Sequence, residues 1–277
     1  MRKRMNAKNV FSAAAAALVA LAAWALPVQS GAPAAAADAQ QAPPTVERPK
    51  AGAHDNTPPE GFQAAFNGKD LTGWKGLVSP DKGPPGRKAM KPEELAEAQK
   101  KADEEMRAHW SVQDGVLVFD GKGQSLVMEK EYGDFEMYVD WMILENGDSG
   151  VYVRGTPQIQ IWDPKFHEGV GSGGLYNNQK PENPSKPSET ADNPIGQWNT
   201  FHIKMVGEKV WVKLNGKMVV DGVVLENYWE RDKPIYPVEQ IELQNHGNTL
   251  YFKNVYIKEL PAGGGDAAAK VGGEQKK

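Results

Sequence analysis

The sequence predicts an all-β protein, a β-sandwich or jelly roll with one inserted surface helix. Apolar and polar residues alternate along residues 135–143, 151–154 and 158–162, and a period of two is typical of strands because successive side chains leave opposite faces of a sheet. Turn sequences such as Asn146-Gly147 and Asn215-Gly216 separate the strand-like runs. These runs are short and recur at a spacing of roughly ten residues, which favours antiparallel strands over a parallel sheet.

One segment departs from this β pattern. Residues 92–110 are rich in helix-forming residues, and Pro92 is followed by Glu93 and Glu94, which is typical of the first turn of a helix. Five apolar residues of this segment recur at helical spacing: Leu95, Ala98, Ala102, Met106 and Trp110. We therefore expect one amphipathic helix that covers the surface of the sandwich and carries no chemistry of its own.

The chain divides into four segments by composition. Residues 1–30 have a basic start, an apolar run and small residues after it, as in a secretory signal peptide; a membrane anchor is the alternative, but the run is only just long enough to span. Residues 31–60, rich in Ala, Pro and Gln, predict a disordered linker, and residues 262–277 a flexible tail. A folded domain is expected over 61–261, in the periplasm or secreted, with no membrane span after signal cleavage.

Composition and motifs exclude several classes of protein. The chain has no cysteine, so an exported domain must hold itself by its core without disulfides. The net charge is −4 and the basic residues are scattered, so nothing indicates nucleic acid as a partner. The Gly171-Ser172-Gly173-Gly174 segment lacks the following Lys-Ser/Thr of a phosphate-binding loop. No nucleotide cofactor is expected.

The polar side of the predicted strands has an unusual composition. It carries carboxylates, amides, an arginine and aromatic residues where a merely solvated face would carry Lys, Thr and Ser, and this predicts a binding surface. Alternation places Glu136, Asp140, Arg154, Gln160, Glu242, Gln244 and His246 on the polar side of their strands. The core side should carry Phe135, Trp141, Val153, Ile161 and Leu243. The long irregular segment 165–193 should overhang the polar side, with Tyr176 and Asn177 as ligand contacts.

Seven motifs carry a family resemblance. In order they are FNGKDLTGW (66–74), GDFE (133–136), DSGVYVRG (148–155), QIWD (160–163), GQWNT (196–200), LNG (214–216) and IELQNHG (241–247). Together they resemble the 3-keto-disaccharide hydrolase domain family. The resemblance implies a concanavalin A-like jelly roll, exported and acting on oxidised glycosides, that is, 3-keto-glycosides or 3-keto-disaccharides. It also implies a strand order that puts the seven polar residues named above on one concave face. The family pattern has Glu near the position of Gln158, and residues 92–110 resemble an insertion.

The chemistry of a 3-keto sugar indicates which residue types are needed. The ketone acidifies the C2 proton, so a base can remove it, the C1 oxygen can leave by elimination, and water can add to the enone. This route needs a base, a cation or metal for the enolate oxygen and a proton donor for the leaving group. The predicted catalytic residues are His246, Glu242 and Arg154. One divalent metal ion is expected at Asp140 and Asp163. Predicted substrate contacts are Glu136, Tyr152, Gln160, Trp162, Tyr176, Trp198 and Gln244.

Two other classes of function remain open on the sequence. The Glu-x-Asp-x-x-Glu run of a laminarinase-type glycosidase is absent, and a sandwich with exposed aromatic residues also suits a non-catalytic carbohydrate-binding module of the laminin-G or lectin type. A structural domain of the cell envelope that meets a protein partner with the same surface is the third class.

Overall fold

The computed structural model describes residues 49–79 and 81–263. The predicted signal peptide, residues 31–48 of the predicted linker and residues 264–277 of the predicted tail lie outside the described residues. Within the described part, no helix is both long enough and apolar enough to cross a membrane.

The described residues form an antiparallel two-sheet sandwich, which confirms the predicted fold class. The helices are α1 (Gly83–Ala89) and α2 (Pro92–His109), and a short 3-10 turn covers Pro164–Phe166. The strands are β1 (Gln63–Ala64), β2 (Trp74–Gly76), β3 (Trp110–Gln113), β4 (Val116–Phe119), β5 (Leu126–Met128), β6 (Phe135–Ile143), β7 (Asp148–Val153), β8 (Thr156–Trp162), β9 (Asn199–Val206), β10 (Lys209–Leu214), β11 (Lys217–Val224), β12 (Glu242–Leu243) and β13 (Leu250–Glu259).

The two sheets differ in size and in the origin of their strands. The larger sheet has the order β11-β10-β9-β6-β13-β4-β3, with β1 paired to β13. The smaller sheet has the order β2-β5-β12-β7-β8. The strand that carries the longest alternating run, β6, therefore lies in the middle of the larger sheet, whereas the strands that follow it, β7 and β8, belong to the smaller one.

The core lies between the sheets, and the alternation explains it. Phe135 and Trp141 of β6 are buried, as are Val153, Ile161 and Leu243 of the smaller sheet, and all of them join one hydrophobic cluster. Full burial of a large apolar side chain contributes about 1.5–3 kcal/mol. The predicted core residues are thus correct on both sheets.

Helix α2 ends one residue before its predicted limit and covers the edge strand β2. Gln99 Nε2 donates to Gly76 O at 2.8 Å, and Gly76 N donates to Asp103 Oδ1 at 3.0 Å. A Cβ at Gly76 would lie 2.0 Å from Ala102 O, so a glycine lets the helix approach the strand. Helix α1 was not predicted. Pro84 lies in its first turn, where proline removes no helical hydrogen bond.

Two residues of the segment expected to be a linker, residues 31–60, contact the folded domain. Asp55 and Asn56 dock on β13 through the side chains of two of its residues. Asn254 Nδ2 donates to Asp55 Oδ1 at 2.9 Å, and Lys253 Nζ donates to Asp55 Oδ2 at 2.6 Å. These charged and amide groups give a proline-rich segment specific partners, which composition alone did not reveal.

Candidate functional site

The outer side of the smaller sheet carries three rows of side chains. The register of β8, β7 and β12 aligns Gln158 with Tyr152 and Glu242, and Gln160 with Gly150. Beyond β12, Gln244 N donates to Gly150 O at 2.9 Å and extends the ladder. Because Val151, Ile159 and Leu243 point into the core, the intervening residues point outward. We call this surface the polar face: Gln158, Tyr152, Glu242; Gln160, Gly150, Gln244; Trp162, Asp148, His246.

A histidine–carboxylate pair ends a chain of side-chain amides on the polar face. Asn177 Nδ2 donates to Gln158 Oε1 at 2.8 Å, and Gln158 Nε2 donates to Gln160 Oε1 at 3.0 Å. Gln160 Nε2 donates to Asp148 Oδ1 at 2.7 Å, and the other oxygen of Asp148 lies 3.3 Å from His246 Nδ1. The side chain of His246 is 56% exposed. This series of hydrogen-bonded side chains is therefore held in place at Gln160 and Asp148, while the imidazole of His246 at its end is accessible to a ligand.

The centre of the polar face has no side chain, for a steric reason. A Cβ at Gly150 would lie 2.5 Å from both Cβ and Cγ of Gln158, far inside ordinary contact. Glycine therefore lets Gln158 lie across β7 and reach Gln160. The Gln158 side chain therefore occupies the space above Gly150, between Tyr152 and Asp148.

Glu242 and Tyr152 sit side by side in a poorly solvated part of the polar face. Burial raises the pKa of Glu242 to about 7, against the opposing effects of a hydrogen bond with Ser125 and the charge of Arg87. Burial, followed by the nearby Glu242 charge, also raises the pKa of the Tyr152 phenol. At neutral pH Glu242 is thus partly protonated and the Tyr152 hydroxyl keeps its proton. Gln244 Nε2 donates to Tyr152 OH over a long 3.5 Å.

Aromatic rings border the other end of the polar face. The ring centroid of Trp162 lies 3.7 Å from that of His167, in a stacked arrangement, and 4.2 Å from that of Tyr176. Trp162 Nε1 donates to Val170 O at 2.9 Å, which fixes the indole. The long segment after β8 pairs with the free edge of that strand, since Gly173 N donates to Gln160 O at 2.7 Å. The segment thereby brings Tyr176 beside the polar face.

Unpartnered polar atoms also concentrate here. Among the described residues, four buried side-chain polar atoms have no hydrogen-bond partner: Trp141 Nε1, Tyr176 OH, Gln240 Oε1 and Gln244 Oε1. Three of the four lie on the polar face or beside it, and Gln240 precedes Glu242 by two residues. A buried polar atom without a partner costs about 1–3 kcal/mol. A hydroxyl-rich ligand would supply the missing partners.

The prediction of one continuous face is wrong for Glu136 and Asp140. Both lie on the outer side of the larger sheet, because their strand is β6. Glu136 Oε1 lies 2.6 Å from His202 Nε2, and Asp140 accepts from Thr200 Oγ1 and from Asn254 Nδ2, each at 2.6 Å. Alternation along a strand defines the two sides of its own sheet, but it does not tell which sheet the strand joins.

Arg154 is also absent from the polar face. Its Nε donates to Met205 Sδ at 3.2 Å, its Nη1 donates to Pro237 O at 3.2 Å, and its Nη2 bonds to Gly207 O. Asp134 lies 4.0 Å away. The side chain is buried against the other sheet because Arg154 has φ of 51° and follows a register shift at the end of β7. This irregularity reverses the alternation, so the prediction that Arg154 faces the same way as Glu242 is wrong.

Two further predicted residues have other surroundings. Trp198 lies by the outer side of the larger sheet, where the Lys253 ammonium is 4.7 Å from its ring centroid. Asp163 caps the turn after β8, accepting from Lys165 N at 3.0 Å and from Asn146 N at 3.1 Å. Trp198 therefore does not share a surface with His246.

The predicted metal ligands do not form a metal site. Asp140 and Asp163 belong to different sheets, and backbone or side-chain donors occupy the oxygens of both. Across residues 49–79 and 81–263 no three His, Asp or Glu side chains cluster closely enough to hold a metal ion. Asp148 and His246 together offer two donors, too few for a site made by the protein alone.

Sequence reasoning missed three residues near this surface. Asp148 opens the DSGVYVRG motif and lies an even number of residues from Tyr152 on β7. Alternation therefore puts its side chain on the same side of the strand as Tyr152. Gln158 lies two residues before Gln160 on β8, so alternation puts both side chains on the same side of that strand. Arg87, whose charge acts on Glu242, comes from α1, and no feature of the sequence connects that helix to the site.

Comparisons with known proteins cover most of the described domain. Residues 61–258 match the family described as the 3-keto-α-glucoside-1,2-lyase-like domain. A 3-keto-disaccharide hydrolase from Bacteroides thetaiotaomicron is 20% identical over 255 residues, which cover 73% of this chain and 79% of that protein.

Two crystal structures of candidate glycosyl hydrolases from Parabacteroides distasonis have similar folds. The first is 26% identical with a TM-score of 0.51, covering 75% of this chain and 100% of the other. The second is 23% identical with a TM-score of 0.50, covering 73% and 85%, and it bears on the fold alone. The family match spans the same part of the chain as the seven sequence motifs.

Proposed function

Because this chain belongs to the 3-keto-α-glucoside-1,2-lyase-like family, as its motifs predicted, we propose that it cleaves 3-keto-glycosides on its polar face. The family and its relative support a carbohydrate-active, 3-keto-disaccharide hydrolase-like protein. One observation carries the finer proposal: an open histidine–carboxylate pair, Asp148 and His246, shares a face with the buried carboxyl of Glu242, whose pKa is about 7. A candidate base and a candidate acid thus lie on the same face of the smaller sheet.

His246 is the base in this proposal. With Asp148 accepting the Nδ1 proton, the lone pair resides on Nε2, and the carboxylate stabilises the imidazolium that forms when Nε2 takes a proton. The C2–H bond of the 3-keto sugar breaks, its proton moves to Nε2, and the electron pair becomes an enolate with the C3 ketone. A positioned general base typically contributes about 10²–10⁴ in rate.

Tyr152 donates to the enolate oxygen, the role predicted for Arg154. Its raised pKa keeps the phenol protonated across the neutral range, and Gln244 Nε2 donates to the phenol oxygen, which leaves the Tyr152 proton for the ligand. A donor already aimed at developing charge is worth about 10²–10³ in rate.

Glu242 protonates the leaving group. The enolate re-forms the ketone and expels the C1 oxygen, giving a C1=C2 double bond conjugated with the C3 ketone, while the Glu242 proton passes to the departing alcohol. Water then adds to C1 and gives a proton to the Glu242 carboxylate, and the His246 imidazolium returns a proton to C2. The sum is hydrolysis, with both residues restored to their starting protonation states.

A direct assay separates this proposal from its alternatives. The full protein is assayed on a 3-keto-glucoside and on the same glucoside without the ketone, and turnover of the oxidised substrate alone is expected because elimination needs the C3 ketone. Equal cleavage of both substrates would contradict the elimination route. Measurable binding without turnover of any 3-keto-glycoside would instead assign the polar face to a non-catalytic carbohydrate-binding module.

Export is part of the proposal and rests on residues 1–30, which lie outside the described residues. The basic start and apolar run of that segment favour a cleaved signal peptide and a periplasmic or secreted domain. N-terminal sequencing of protein from periplasmic and medium fractions is expected to start after residue 30. Protein that retains Met1 and sediments with membranes would contradict export.

A further inference from the structure

A cavity outside the polar face is lined by Gln240, two residues before Glu242 in the chain. It measures 450 Å³ and lies between the two helices and the end of the smaller sheet, with Lys75, Arg87, Leu95, Ala96, Glu239 and Gln240 in its lining. This volume falls within the range of about 300–1,000 Å³ typical of small-molecule sites. The cavity exists because α2 lies against β2.

Sheet register connects this cavity to the proposed acid. Lys75 pairs with Val127, and Val127 pairs with Glu242. Lys75, which lines the cavity, and Glu242 therefore lie in the same row across three neighbouring strands. At a strand spacing of about 4.8 Å, the Cα atoms of Lys75 and Glu242 lie roughly 10 Å apart. Gln240 is two residues before Glu242, about 7 Å along the same chain. Arg87 acts electrostatically on Glu242 from α1.

The lining contains polar groups that lack partners. Gln240 is 6% exposed, and its Oε1 is buried with no hydrogen-bond partner among the described residues. Lys75 forms no ion pair with any described carboxylate. Glu239, by contrast, is already neutralised, since Arg87 lies at 3.1 Å and Lys88 at 3.8 Å. An unfilled acceptor and an unpaired positive charge therefore remain.

Part of the cavity lining is apolar. Pro92, Leu95 and Ala96 of α2 line the cavity, together with the polar side chains of Gln99 and Glu131. An occupant that satisfies all three features has a flat apolar ring against the helix, a hydroxyl donor for the amide and a negative group for the lysine.

We propose that this cavity binds the leaving-group alcohol of the substrate, and that this alcohol is an aromatic ring with an acidic substituent. The inference rests on the proposed function, because the leaving group must lie beside Glu242 to receive its proton. It also gives α2 a role in substrate choice, where the sequence predicted a covering role only.

The test compares three substrates and three variants of the full chain. The substrates are 4-carboxyphenyl, phenyl and methyl 3-keto-glucoside, and each variant is compared with wild type on the same substrate, so intrinsic leaving-group reactivity cancels. Ala96→Phe fills the cavity from an exposed helix position. It is expected to lower kcat/KM for the carboxyphenyl substrate at least about tenfold and to leave the methyl substrate within about twofold.

Two further variants test the charge contact and control for the added ring. Lys75→Met is expected to reduce the advantage of the carboxyphenyl over the phenyl 3-keto-glucoside about tenfold, since a charge-assisted contact is lost. Glu104→Phe adds the same ring at an exposed position of α2 outside the cavity lining, and turnover of all three substrates should be unaffected. Equal effects of Ala96→Phe on the carboxyphenyl and methyl substrates, or no effect on either, would overturn the proposal.

Calorimetry with 4-hydroxybenzoate gives a readout that does not depend on turnover. Wild type is expected to bind this probe, and Ala96→Phe and Lys75→Met to bind it at least about fivefold more weakly, with Glu104→Phe unchanged. No turnover of any 3-keto-glycoside, together with this binding pattern, would refute the proposed function and leave the cavity as an aryl-acid site. Turnover without any binding of the probe or any preference among aglycones would refute the cavity proposal alone.

Discussion

The two outer sides of the sandwich both present a histidine beside a carboxylate, yet they differ in what surrounds it. On the larger sheet Glu136 lies 2.6 Å from His202, whose ring stacks on Tyr138 with centroids 4.3 Å apart. On the polar face Asp148 and His246 are 3.3 Å apart and the imidazole is far more exposed, 56% against 23% for His202. The tighter pair is the one already enclosed by its own neighbours.

Unsatisfied groups separate the two surfaces further. Asp140, on the larger sheet, is partly buried, and burial raises its pKa, but both of its oxygens have donors. The polar face instead has unpartnered Gln244 Oε1 and Tyr176 OH beside it, together with Glu242. A histidine–carboxylate pair is thus a poor marker of a site by itself. Buried groups that still lack a partner discriminate better.

Exchanging each histidine for alanine gives the largest expected contrast. His246→Ala should lower turnover of a 3-keto-glucoside by about two orders of magnitude or more, because the base is lost. His202→Ala should leave turnover within about threefold, since His202 lies on the other sheet. Steady-state kinetics checks both. A larger loss in His202→Ala than in His246→Ala would reverse the assignment of the two surfaces.

The carboxylates that orient these histidines give a second contrast. Asp148→Asn removes the acceptor that fixes the His246 tautomer, and kcat should fall about tenfold to a hundredfold with the acidic limb of the pH profile displaced. Glu136→Gln is the matched change on the larger sheet and should alter neither kcat nor the profile. An unchanged pH profile in Asp148→Asn would show that Asp148 does not act through His246.

Glycines on the two surfaces allow a test of packing against function. A Cβ at Gly150 would displace Gln158, and a Cβ at Gly222 would lie 3.1 Å from Trp211 Nε1 on the larger sheet at φ of 64°. Both Gly→Ala variants should lose about 1–3 kcal/mol of stability in urea unfolding. Only Gly150→Ala should also lose turnover, by about fivefold to tenfold, because the amide chain to Asp148 is disturbed. Equal kinetics of the two folded variants would contradict the positioning role of that chain.

Glu242 should make stability depend on pH. Its pKa is about 7 in the folded protein and about 4.3 in an unfolded chain, so between these values the folded state holds a proton that the unfolded state has released. The free energy of unfolding should therefore fall by about 3 kcal/mol as pH rises from about 4.5 to 7, and then level off. In Glu242→Gln this component should be missing, as measured by urea unfolding across that pH range. A variant with the same pH dependence as wild type would mean that Glu242 is not buried as described.

The sequence was sufficient for the fold class, the helix α2 and the core, because each depends on local periodicity. Phe135 and Leu243 were placed correctly inward although they lie on different sheets. The assignment of strands to sheets depends on long-range pairing, and this is why Glu136 was put beside Glu242. The prediction for Arg154 was wrong for another reason. Arg154 itself has a positive φ, and this reverses the direction of its side chain.

Parts of the site lay within reach of the sequence and parts did not. By alternation, Asp148 lies on the same side of β7 as Tyr152, and Gln158 lies on the same side of β8 as Gln160. The outward direction of both side chains could therefore have been predicted by the same rule that placed Glu242. The raised pKa of Glu242 depends on burial within the assembled fold, and the contribution of Arg87 depends on how α1 docks. Neither can be derived from residues 241–247 by themselves.

Turnover of a 3-keto-glucoside in D₂O tests the central claim most directly, with the product analysed by NMR. Because His246 is exposed, the proton it removes should exchange with solvent before one is returned. The released 3-keto-glucose is then expected to carry deuterium at C2, while C4, which is equally acidified by the ketone, should exchange no more than in a blank without enzyme. A product that retains its original C2 hydrogen would contradict proton abstraction by His246 and the elimination route with it.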